Sequence, residues 1–184
     1  MKRNGGKGSE ATREEARALW SFSLATYDSP GVASACIALQ DRHGLDVNLL
    51  LFCCWAGAQG HQLTTAKLKR LQQGVASWQE DVVQPLRRVR RRLKGEPGDD
   101  AQDLRARIIE LEIESERQEQ LRLTDLLPLA TGEPEPRRAG ANLRLYMELK
   151  RAPLDEDSVA ELAALMTGAF PDLPPLLAVW FILP

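Results

Sequence analysis

The sequence predicts an all-α protein, a compact bundle of about six to seven helices. Three observations lead there. Apolar residues recur every three or four positions along most of the chain, and no stretch alternates as a strand would. Glycine, proline and capping residues fall between the periodic segments at the places where helices start and stop. A turn at 95–99 joins a cationic helix to an acidic one, the pattern of a long, charged, antiparallel αα-hairpin.

The elements follow in order. Residues 1–10 are glycine-rich and charged and are expected to be disordered. Ala16, Leu19, Trp20, Ser23, Leu24 and Tyr27 then fall at helical spacing, with Glu14 and Glu15 in the first turn. Ser29 is placed to cap a second helix and Pro30 to be its first residue, with Val32, Ala35, Cys36 and Leu39 as its apolar face. Gly44 is positioned to stop that helix and Asp46 to cap the next. In the third helix Asn48 is the only polar residue before Gln59, so it belongs in the centre of the bundle, and Gly57 and Gly60 are expected to end it.

A long helical pattern follows Thr64–Thr65: Leu71, Val75, Trp78, Val82, Leu86, Val89 and Leu93. Pro85 lacks a backbone donor, which predicts a kink or a break. The next helix runs from about Asp100 to Leu127, with Leu104, Ile108 and Leu111 expected to face inward and a polar second half. Residues 62–94 carry nine cations and two acids, whereas 96–119 carry nine acids and three cations. Folded back on each other, the two edges neutralise one another and suit both helix dipoles. The expected domain plan is a helical core over 11–130, a Pro/Gly-rich linker over 131–142, and C-terminal helices with an apolar tail over 143–184 packed on the core. The helices of that last part are expected near 141–151 and 156–169, followed by an extended proline-rich tail.

Composition narrows the function classes. With 43% apolar and 27% charged residues among 184, the chain is an ordinary globular protein. A net charge of −2 argues against a protein whose task is to coat nucleic acid. The N-terminal residues have no apolar h-region of a signal peptide, and Val47 to Ala58 is too short to span a bilayer. Three cysteines, Cys36, Cys53 and Cys54, form no disulfide framework, so a reduced, cytoplasmic setting is expected.

The candidate chemistry is sparse. Asp99, Asp100 and Asp103 spell DDxxD, a spacing that presents carboxylates to magnesium, but here it sits in a tight turn without a second acidic motif. His43 and His61, the only histidines, have no ligand spacing with the cysteines, so no metal and no cofactor is expected. Cys36 lies two turns before His43, too far along a helix for proton transfer. The densest polar cluster is the corner LQDRHGLDVN. If a small-molecule pocket exists, Trp20, Asp41, Arg42, His43, Asp46, Asn48 and Trp55 are its candidates. The run Arg87, Arg88, Arg91 and Arg92, with Trp180 in the apolar tail LLAVWFIL, is the candidate partner surface.

The blocks LWSFSLATY, LQDRHGLDVNLLLFCCWAG, VVQPLRRVRRRLK and LRARIIELEIESERQEQ carry a family resemblance. Over roughly residues 18–128 the chain resembles a family of small proteobacterial proteins grouped as a domain of unknown function. The resemblance implies an all-helical cytoplasmic protein and brings no activity, cofactor or catalytic residue. The leading expectation is a non-catalytic helical interaction protein, regulatory in character, that works through a protein partner. Alternatives are a small-molecule-binding protein or enzyme using the corner, and RNA or DNA binding through the arginine run. A homodimer is open, and no membrane association is expected.

Overall fold

A computed structural model describes residues 6–184 and is all-helical over them. The helices are α1 (Gly6–Tyr27), α2 (Val32–His43), α3 (Val47–Ala58), α4 (Thr65–Trp78), α5 (Gln84–Leu93), α6 (Asp99–Leu126), α7 (Pro136–Lys150), α8 (Glu156–Ala169) and α9 (Pro175–Ile182). A π-helical segment, Gln79–Val83, fuses α4 to α5, so the described residues form eight rods. The rod beyond the expected six to seven is the tail, which is helical rather than extended. No helix among the described residues is long and apolar enough to cross a membrane.

The expectation of disorder over 1–10 falls partly outside the described residues, while 6–10 already belong to α1. Ser29 and Pro30 do not start α2. They form the turn before it, where Ser29 Oγ donates to the Ala25 carbonyl, and Gly31 enters α2 in a left-handed conformation at φ 82°. Gly44 stops α2 at φ 61° with its N–H on the Gln40 carbonyl, and Asp46 caps α3 by accepting the Asn48 N–H at 2.9 Å. Both positions were readable because a positive φ and an orphan amide each demand a specific residue type.

Around α3 the core is built. Leu49 to Gly57 are all buried there, against α7 on one side and α1, α6 and α8 on others. Gly57 does not end α3. It lies inside the helix, where an added Cβ would come 2.5 Å from the Ala139 Cβ, so the absent side chain lets α7 approach. The linker is correspondingly shorter than expected: α7 begins at Pro136, with Glu135 accepting the Arg137 N–H. Asn142 is fully buried within α7, donating to the Cys53 and His61 carbonyls and accepting the Leu63 N–H.

The π segment resolves what Pro85 does. With no proline N–H to continue the ladder, the chain widens by one residue, and Gln84 N–H bonds Gln79 O instead of the carbonyl one residue later. One inserted residue turns the following helix by about 100°. Val83 and Arg87 therefore face inward, and Val82, Leu86, Val89 and Leu93 do not form the expected buried stripe. In α6 the same inversion holds. Its buried residues are Glu112, Ser115, Glu119, Gln120, Leu123 and Thr124, while Leu104 and Leu111 are 45% and 55% exposed.

Candidate functional site

The corner residues that looked like one cluster diverge in space. Successive residues of a helix point about 100° apart, so Asp41, Arg42 and His43 cannot share a focus. Asp41 pairs with Arg91 of α5 at 3.0 Å. Arg42 pairs with Asp157 at 3.4 Å and with Glu161, both on α8. His43 Nε2 lies 3.0 Å from Ser158 Oγ, also on α8. Asn48 accepts from Gln120 Nε2 at 2.9 Å, and Gln120 in turn accepts from Ser23 of α1. Trp55 is buried against Phe22, with ring centroids 5.3 Å apart, and Trp20 sits half-buried on α1. These residues tie α2 and α3 to four other helices. Of the seven, Asp46 lines a cleft.

Running the length of the α5–α6 contact is a buried polar seam that the apolar pattern had obscured. Arg87 is 8% exposed, which removes it from the candidate partner surface. Its Nε donates to Glu112 at 3.1 Å and its Nη2 to Glu116 at 2.6 Å, and Gln40 of α2 takes a third bond. Arg90 donates to the other Glu112 oxygen at 2.5 Å. Burial works against the Arg87 charge, but Glu116 and Glu112 outweigh it and raise its pKa. Arg91 and Arg92 are also paired, with Asp41 and Glu96. The expected charge-complementary hairpin is thus present, with its strongest pairs inside rather than along the edges.

Beyond Glu116 the seam ends in a carboxyl pair. Glu119 is fully buried; one oxygen accepts from Gln79 Nε2 at 3.2 Å and the other has no hydrogen-bond partner. Burial, then the negative Asp46 beside it, pushes the Glu119 pKa up to about 10, so it is a neutral carboxylic acid at pH 7. Asp46 also fronts a cleft of about 290 Å³ between the α3 N-terminus, the π segment and α7. Tyr146 Oη accepts the Asp46 N–H there at 3.0 Å, and Arg88 and Lys150 stand at the rim without an ion pair among the described residues. Burial holds the Tyr146 phenol well above its usual range. Chemically, the cleft offers a carboxylate, a phenol, amides and two cations to a small polar ligand.

Tyr146, Gln79 and Glu119 were not among the residues singled out from the sequence. Tyr146 lies about a hundred residues from Asp46, and no local pattern could join them. The acids Glu112, Glu116 and Glu119 do repeat at four and three residues, a helical face in its own right, but an acidic face reads as solvated unless its cation is known to be buried too.

The cysteines carry no accessible chemistry. All three are free and buried, and burial pushes the Cys36 thiol up to about 12 and holds the Cys53 and Cys54 thiols well above the ordinary thiol range. His61 Nε2 meets the Ala130 carbonyl at 2.7 Å. Asp99, Asp100 and Asp103 are exposed in the first turns of α6, where they suit the helix dipole. No cluster of three potential metal ligands occurs among the described residues.

Two apolar surfaces remain. Val89 on α5 and Leu104 and Leu111 on α6 are about half exposed, and Leu86, Leu93 and Ile108 are partly buried, on the flanks of the hairpin turned away from Arg87 and Glu112. On α9, Leu176 and Trp180 are 84% and 58% exposed, although Ala178 and Ile182 pack onto the core. The tail therefore docks on its own domain by one face and leaves the other open, with Arg137 over the Trp180 ring at 4.9 Å.

A protein-family comparison matches residues 18–123 to "Protein of unknown function (DUF2390)". The chain belongs to this family. The matched DUF2390 segment runs from α1 to near the end of α6, so it contains the corner, the polar seam and the whole hairpin. It excludes α7 to α9, and with them Tyr146 and Lys150 of the cleft. No curated protein and no solved structure matches the chain.

Proposed function

We propose that this protein is a non-catalytic helical interaction protein that works by docking a protein partner on the outer side of the α5–α6 hairpin. One observation carries the reading. The hairpin buries the Arg87–Glu112 pair between its helices while Val89, Leu104 and Leu111 stay about half exposed. Apolar surface arranged in helical register is what a partner helix packs against. A cytoplasmic setting fits the three free cysteines. The test compares wild type with a Leu104→Glu/Leu111→Glu double variant as affinity baits. The reading expects a specific partner recovered by wild type and lost by the variant at unchanged helical content. Equal recovery by both would overturn it.

A second reading, small-molecule binding, is favoured by the cleft at Asp46 and Tyr146, where Arg88 and Lys150 have no ion pair among the described residues. A bound metabolite seen by native mass spectrometry, lost on Arg88→Ala, would support it over the first. Nucleic-acid binding has the least support, because Arg87, Arg90, Arg91 and Arg92 already serve carboxylates of this chain.

A further inference from the structure

We infer that the cleft at Asp46 and Tyr146 takes a small zwitterion, an α-amino acid, with its ammonium on Asp46 and its carboxylate on Tyr146, Arg88 and Lys150. This rests on the small-molecule reading of the cleft, gives that reading its ligand class, and is independent of the docking surface. The first observation is a set of opposite charges that share a small space and do not meet. Asp46, Arg88 and Lys150 line the same cleft, yet none of the three makes an ion pair among the described residues. Elsewhere in the chain neighbouring charges close on each other, as Arg87 does on Glu112 and Arg42 on Glu161. An acid and two cations left open in one cleft suit a molecule that carries both signs. A simple anion would meet Asp46 as a like charge, and a simple cation would meet Arg88 and Lys150.

The second observation is a buried donor with nothing to donate to. Tyr146 lines the cleft and is 1% exposed. Its Oη accepts the Asp46 N–H at 3.0 Å, while its own O–H has no acceptor among the described residues. Burying a hydroxyl in that state costs free energy that a ligand oxygen would restore. Asp46 Oδ1 accepts the Asn48 N–H at 2.9 Å, and a carboxylate has further lone pairs for an ammonium. Acceptor and donor thus belong to one residue and to the phenol bonded to its amide. That closeness suits charges on adjacent ligand atoms, as in an α-amino acid, over charges several bonds apart.

The surroundings agree with this class. Glu119 keeps its proton at pH 7, so it adds no second negative charge beside Asp46. Glu80, the other acid of the cleft, is exposed, where water screens it. Leu49 and Val75, both buried, give an apolar wall for the ligand's side chain. A volume of about 290 Å³ holds roughly ten water-sized groups, which admits an amino acid and excludes a nucleotide.

The experiment is thermal unfolding of the purified full chain with each standard amino acid at about 10 mM, then calorimetric titration of those that bind. At least one is expected to raise the Tm by about 3 °C or more. Asp46→Asn keeps a capping residue and removes the charge, and Arg88→Ala changes an exposed side chain, so both should retain wild-type circular dichroism. Each should weaken the amino acid by about tenfold or more. Truncated ligands supply the discriminating readout. Asp46→Asn should leave the affinity for the deaminated acid unchanged, and Arg88→Ala that for the decarboxylated amine, because each ligand already lacks the group concerned. A deaminated acid that binds wild type as tightly as its parent overturns the zwitterion, as does failure of that split or no response to any amino acid. Native mass spectrometry of the chain as purified separates the two readings. A bound metabolite without both charges, lost on Arg88→Ala, keeps the cleft as a ligand site and sinks the amino acid. No bound metabolite and no responding amino acid sinks both.

Discussion

Helix α3 and the second half of α6 both pack into the core, and they are held by opposite means. In α3, ten of twelve residues are buried and Asn48 is the only polar one, with its side chain answered by Gln120. Burial of this kind is non-directional, contributing about 1.5–3 kcal/mol per large side chain whichever way the helix turns. In α6 five of the six buried residues are polar, and three of them, Glu112, Glu119 and Gln120, bond to Arg87, Gln79, Asn48 and Ser23 on three separate rods. Those bonds have direction. They fix the rotation of α6, and the rotation they select turns Leu104 and Leu111 toward solvent. A polar seam can thus decide which face of a helix is left for a partner, a task that a greasy helix like α3 cannot perform.

The sharpest way to break that comparison is Arg87→Ala. Removing the guanidinium leaves Glu116 without its cation and Glu112 with Arg90 alone, and losses from breaking a buried pair run to about 3–5 kcal/mol. Urea denaturation followed by far-UV circular dichroism measures it. A loss under about 1 kcal/mol would mean that something other than the seam sets the rotation of α6.

On the α3 side the corresponding test is Gly57→Ala. Helix propensity alone favours alanine by about 1 kcal/mol. Here, however, the new Cβ would sit 2.5 Å from the Ala139 Cβ and 2.6 Å from its backbone nitrogen, so α7 must move away. The expected result is a net destabilisation of about 1–3 kcal/mol by thermal unfolding. A stabilised variant would show that the α3–α7 contact has slack.

Glu119→Gln probes the unsatisfied end of the seam and carries a pH signature. The ordinary glutamate value is 4.5, and the folded value is about 10. Between these the unfolded chain has released the proton that the folded chain keeps, so the native state loses stability as pH rises through the window. An amide in place of the acid keeps the acceptor for Gln79 without titrating. Glu119→Gln is therefore expected to match wild type near pH 4.5 and to exceed it by on the order of 1–2 kcal/mol at pH 8. Urea midpoints at the two pH values check this, and equal midpoints at both would remove the buried acid from the account.

How far these regions could be read from sequence follows from the same contrast. The α2–α3 corner was legible because Gly44 and Asp46 obey local rules, a left-handed stop and a capped amide. The central place of α3 was legible because a helix apolar on every side has nowhere else to go. The hairpin and its opposed charges were legible as well, but not its rotation. One residue of π-helix before Pro85 shifts every later position of α5 by about 100°, and no period count over 71–93 registers it. The α6 stripe Leu104–Ile108–Leu111 competed with Glu112–Glu116–Glu119 for the inside, and the choice rested on Arg87, a residue that average tendencies place at the surface. The cleft stayed hidden for a plainer reason: Asp46 and Tyr146 meet only through tertiary packing.

The smallest expected effect bears on the outer side of the hairpin. Leu111→Gln removes a leucine that a helical-period argument would place in the core, where such a change would cost several kcal/mol. At 55% exposure it should alter folding stability by less than about 0.5 kcal/mol, measured as a shift in urea midpoint. A loss of more than about 1 kcal/mol would mean that Leu111 is packed within its own chain, and the inversion of burial between α3 and α6 would then be smaller than its exposure implies.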